Sequence, residues 1–152
     1  MTIMKLFKEY FMKKFAIIAV LFVLPSTWIA ADEFTVTLEF TGVIINGGSV
    51  YVAVYNSAES FRNELPHQTF ILEPSATTVS VTTHLSTGYY RVSTFQDRNG
   101  NGRLDTGLFG IPKEPIGISN YSGRGIPGNF DRLKLWIGQG ANKVTVNLAY
   151  YR

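Results

Sequence analysis

Hydrophobic and polar residues alternate along most of this chain with a period of two. In Phe34–Phe40, residues Phe34, Val36, Leu38 and Phe40 fall on one face, and Thr35, Thr37 and Glu39 on the other. That spacing predicts a half-buried strand, because successive side chains of an extended chain point to opposite faces. Gly47-Gly48 marks a turn, and Ser49–Asn56 follows with Val50, Val52 and Val54 opposed to Tyr51, Ala53 and Tyr55. Both of its faces are apolar, which predicts a central strand. Ser57 is placed to N-cap a short helical turn that Pro66 ends. Strands are expected over 68–72, 77–83 and 89–96, with a turn at Ser86-Thr87-Gly88. Alternation resumes over Arg132–Gly138, and Lys143–Tyr150 closes the chain with Val144, Val146 and Leu148 inward.

These seven short strands, joined by turns and lacking any long helix, predict an all-β fold: an antiparallel, Ig-like or transthyretin-like β-sandwich. The chain has 152 residues, enough for one such domain. No linker or internal repeat divides it.

The first 31 residues follow a different pattern. Lys13-Lys14 precede an apolar run from Phe15 to Leu24, which Pro25 and Ser26 break. A basic start, about ten apolar residues and a small-residue exit make a secretory signal peptide, with cleavage expected after Ala31. Met12 is an alternative start to Met1. The expected organisation is therefore a signal peptide over 1–31 and a sandwich domain over 32–152, with export to the periplasm or exterior and no membrane span after cleavage.

Charge changes meaning once that segment is set apart. The whole chain carries a net charge of +3. Residues 32–152 hold ten basic and ten acidic groups, so the domain has no basic excess with which to bind nucleic acid. The absence of cysteine excludes disulfides, thiolate metal sites and a thiol nucleophile.

Residues 97–131 break the alternation and read as one long loop; 97–129 contain eight glycines and three prolines. A loop of that length in a compact domain is usually functional. It opens Asp97-Arg-Asn99-Gly-Asn101-Gly102-Arg103-Leu-Asp105, with oxygen-bearing side chains at alternate positions and glycine at the sixth. This matches the first half of an EF-hand-type calcium loop. Asp97, Asn99, Asn101 and Asp105 would supply side-chain oxygens and Arg103 its carbonyl, because a hard cation takes six to eight oxygens. The twelfth position is Leu108 rather than glutamate, and Glu114 could substitute only if the loop folds back. The competing reading is a set of Asx turns with glycines at positive φ. Calcium is the one cofactor expected.

At this loop the chain resembles the bacterial domain-of-unknown-function family 2141. The resemblance rests on Phe95–Asp105, Leu108–Pro115 and Gly117–Asn120, with Gly48–Tyr55, Phe61 and Gly88–Val92 earlier. It spans most of residues 34–150. It implies an exported, signal-bearing β-sandwich similar to transthyretin-like and carboxypeptidase-regulatory-like domains. It implies no activity and no catalytic residues, and it marks Asp97–Asn120 as the distinguishing surface. Arg98 stands where the family commonly has an acidic residue.

Other constellations weigh less. Gly123-Arg-Gly125-Ile-Pro-Gly128 spells a dinucleotide fingerprint, but Pro127 and the following strand pattern deny it the helix it needs. His67 and His84 have no nucleophile motif beside them. Asp97 and Asp105 could pair as glycosidase carboxylates. Phe109 and Phe130 are expected to pin the loop to the sandwich. The sequence thus predicts a non-enzymatic exported module whose loop faces an envelope protein or glycan. The alternative is a small extracytoplasmic hydrolase or carbohydrate-binding enzyme using the same loop.

Overall fold

The computed structural model describes residues 32–140 and 143–151. The expected signal peptide lies outside the described residues. Eight strands form two sheets, and the helices are single short turns.

One sheet has the order β4-β1-β8, from β1 (Glu33–Thr41), β4 (Thr78–Ser86) and β8 (Lys143–Asn147). The other has the order β3-β2-β5-β6, from β2 (Val50–Tyr55), β3 (Gln68–Leu72), β5 (Gly88–Gln96) and β6 (Ile116–Ile118). Strand β7 (Leu135–Ile137) pairs with the first half of β5, on Gly88–Tyr90, while β6 pairs with Ser93–Phe95. All pairings are antiparallel except β1 with β8, which is parallel and sets Leu38 opposite Val144.

The period of two explains the core. Val36, Leu38 and Phe40 of β1 face Val50, Val52 and Val54 of β2, with Leu85, Val92 and Val146, and all are buried. The layers close along one side through Ile116, whose N–H and carbonyl both bond Ala149. Gly117 beside it admits no side chain: a Cβ there would lie 2.8 Å from Val146 Cγ1 and 2.9 Å from the Asn147 carbonyl oxygen.

Helix α1 (Ala58–Arg62) starts at Ser57, whose side chain accepts from the Ser60 N–H in a reciprocal capping box. Helix α2 (Phe130–Leu133) occupies the start of the stretch read as one strand from 132 to 138; Asn129 caps it, and it buries Phe130 and Leu133. Residues 97–131 are therefore not free of secondary structure. They hold a 3₁₀ turn (Leu108–Gly110), strand β6 and the start of α2.

Candidate functional site

The outer face of the larger sheet forms a cleft of about 600 Å³, within the size range of small-molecule sites. Its floor follows from the β2–β5 register. Tyr51 lies opposite Phe95, Ala53 opposite Ser93, and Tyr55 opposite Arg91. The small Ala53–Ser93 pair leaves a hollow between two bulky rows. At one end Tyr51 and Phe95 stack with ring centroids 5.1 Å apart. At the other, Tyr55 meets Phe61 edge-on at 5.3 Å. Tyr51 and Tyr55 stand four steps apart along the strand, about 13 Å. Leu104, Pro112 and Pro127 of the long excursion wall the cleft, and Ile71 of β3 and Ile118 of β6 flank it.

Among the described residues Arg91 is the sole charged one lining this cleft, and it is only 3% exposed. No ion pair among the described residues includes it. Its guanidinium lies over the Phe61 ring at 3.9 Å. Nη1 donates to the Gly128 carbonyl at 2.7 Å and Nε to Ser93 Oγ at 3.2 Å. Burial pulls its pKa down and the neighbouring Tyr55 opposes that pull, yet a guanidinium stays charged at any physiological pH. Burial likewise raises the Tyr55 hydroxyl; Glu64 adds to the rise and Arg91 opposes it.

The wall is held rigid by carboxylates. Asp97 is 2% exposed, and its Oδ1 accepts the N–H groups of Gly100 at 2.8 Å and Asn101 at 3.2 Å. Its Oδ2 accepts Gly102 N–H at 2.7 Å. Desolvation pushes this carboxyl up, but the bonds from Gly102, Gly100, Asn101 and Asn99 outweigh it and hold the pKa below the usual aspartate range. Glu114 does fold back. Its Oε1 accepts Arg98 N–H at 2.7 Å and its Oε2 accepts Asp105 N–H at 3.0 Å, so it brackets the loop. Gln96, fully buried, ties the root of the loop to the Ile44–Gly48 turn through Ile44 and Gly48.

The other expected ligands cluster beside Asp97. Asn99 Nδ2 and Asn101 Nδ2 both donate to Asp105 Oδ2, at 2.5 and 3.1 Å. The Asn99 and Asn101 side-chain oxygens accept N–H groups of Asn101 and Arg103, while the Arg103 side chain approaches Asp105 at 3.9 Å. Among the described residues no three His, Asp or Glu side chains converge as metal ligands do.

Residues 38–145 match the family described as an uncharacterized protein conserved in bacteria (DUF2141).

The chain belongs to this family.

No curated protein and no solved structure gave a match. The family's matched span takes in the cleft floor, Arg91, and the whole Asp97–Asn129 excursion.

Two further expectations meet the geometry here. Among the described residues neither histidine ring bonds a hydroxyl nucleophile or a carboxylate; His67 Nδ1 lies 3.4 Å from Asn56 Nδ2. Phe130 is buried as expected, but Phe109 is 90% exposed. The Gly107 N–H, two residues before it, donates to the Ile111 carbonyl, which closes a tight loop with Phe109 at its tip. No helix among the described residues is long and apolar enough to cross a membrane.

Sequence reading gave no role to Arg91 or to the Ala53–Ser93 hollow. The available signal was the outward alternation of Arg91, Ser93 and Phe95, but its meaning depends on a pairing with β2 that lies 40 residues away in sequence.

Proposed function

We propose that this protein is an exported, non-enzymatic binding module whose cleft takes a small ligand with an apolar body. The observation that carries the reading is the hollow over Ala53 and Ser93, closed by aromatic rings at both ends and walled by Leu104, Pro112 and Pro127. Such a concave, mostly apolar site with few polar groups suits a small ligand. A glycan fits less well, because the lining would leave most sugar hydroxyls without partners. The hydrolase alternative has less support. Asp97 is taken up by backbone N–H groups that favour its ionised form, so it is poorly suited to act as a general acid.

Export is supported by the basic and apolar pattern of residues 13–24. N-terminal sequencing of the processed protein is expected to begin at Asp32.

The cleft is tested with the neutral dye Nile red. The folded protein is expected to raise its fluorescence, and Ala53→Trp, which fills the hollow, is expected to abolish the rise while far-ultraviolet circular dichroism stays unchanged. No rise with the unaltered protein overturns the reading.

Calcium at Asp97, Asn99, Asn101, Arg103 and Asp105 belongs to the same proposal as a stiffener of the wall. It is supported by the alternate spacing of Asp97, Asn99, Asn101 and Asp105 with Gly102 at the sixth position. Calorimetry is expected to give binding in the weak range of extracellular calcium modules, about 0.1–1 mM, lost in Asp105→Ala. A flat titration removes calcium and leaves the cleft reading standing.

A further inference from the structure

Resting on that cleft reading, we infer that the ligand is an amphipathic carboxylate, its apolar body lying across Ala53 and Ser93 and its carboxylate meeting Arg91.

The argument starts from cost. A buried guanidinium without a counter-ion is expensive, because desolvation is only partly returned by neutral partners. Arg91 has three such partners: the Phe61 ring, the Gly128 carbonyl and Ser93 Oγ. A purely structural tie between β5 and the excursion would need only the Gly128 bond, which an uncharged donor could make. The side chain also has more donors than these contacts use. Arginine carries five N–H groups in a fixed fork. Nη2 has no acceptor among the described residues, yet none of their buried side-chain polar atoms lacks a partner. Nη2 is therefore not fully enclosed, and Arg91 is one of the residues lining the cleft.

Ser93 adds a second donor. Its Oγ accepts from Arg91 Nε, and no described residue accepts its own O–H. An Arg N–H and a Ser O–H two residues apart on one face of the same strand suit the two oxygens of a carboxylate, and charge-assisted bonds of this kind are the strong ones. Among the described residues no acidic side chain lines the cleft to compete. The apolar remainder of the ligand then runs from Tyr55 toward the Tyr51–Phe95 stack, about 13 Å along the strand, which suits a medium-length chain.

Decanoate and decanol separate the parts of this inference, since they share an apolar body and differ in the head group. Calorimetry on the unaltered protein at pH 7 is expected to give decanoate binding at least about tenfold tighter than decanol. In Arg91→Met, checked for folding by circular dichroism, the preference is expected to vanish while decanol binding persists. Arg91→Lys, which keeps a charge able to reach Gly128, is expected to retain part of the preference. Equal binding of the two by the unaltered protein overturns the carboxylate inference and leaves the cleft reading intact; that comparison needs no variant to fold. Failure of decanoate, decanol and Nile red alike overturns both. A dimer in sedimentation that neither compound dissociates, with no binding of either, shows a second copy in the cleft and also overturns both.

Discussion

Asp97 Oδ2 accepts the backbone N–H of Gly102, five residues on, at 2.7 Å, closing a ring at the mouth of the excursion. With Gly100 and Asn101 on the other oxygen, the carboxylate is held by donors that favour its charged form. The folded pKa is depressed, so the stabilisation is present in full above the ordinary aspartate range near pH ~4. It drains away as pH falls through the lower folded value. Urea midpoints are expected to drop between pH 5 and pH 3, both approximate brackets of that range, and Asp97→Asn is expected to flatten the drop. An Asp97→Asn profile as steep as the parent's would contradict this account.

Glu114 holds the other side of the excursion. Glu114→Ala leaves the N–H groups of Arg98 and Asp105 without their acceptor. The expected cost is about 3 kcal/mol, the scale of losing two bonds to a buried charged group. Limited proteolysis should then cut within 98–113 well before the strands, whereas the parent protein resists there.

Gly48 lies where β2 begins and has φ +94°. A Cβ at that position would lie 1.8 Å from the Asp97 carbonyl oxygen. Gly48→Ala therefore combines backbone strain with an overlap against main chain, and is expected to cost about 3 kcal/mol in a denaturation experiment. A variant within experimental error of the parent would mean the turn and loop root are not in contact.

Phe109 gives the opposite sign. It has φ 59° and is 90% exposed, so it bears left-handed strain with little burial in return. Phe109→Gly is expected to raise the melting temperature by about 2 °C. A lower melting temperature would show that the ring packs in solution.

The sandwich was legible because its strands obey a strict rule. Val36, Leu38 and Phe40, and Val50, Val52 and Val54, are buried as their alternation predicts. The central place of β2 followed from its two apolar faces and is seen in its pairing with both β3 and β5. Strand β6 was hidden because three residues, Ile-Gly-Ile, are too short to show a period among glycines and prolines. The α2 turn was hidden for a similar reason: four residues make barely one helical turn, and its last residue, Leu133, runs on into the alternation of Leu135 and Ile137. The parallel partnership of β1 and β8 leaves no local trace at all. The special character of residues 97–105 was legible from glycine and Asx spacing. What it borders was not, since Leu104 and Pro112 gain meaning only when set beside Tyr51 and Phe95.

The first strand of the domain finds one of its two neighbours only in the last, through Thr37–Thr41 and Lys143–Asn147. A chain emerging from its N-terminus cannot complete the smaller layer until about a hundred further residues have followed, which is the kind of distant closure that slows folding. The tail thus acts as a final latch on that layer.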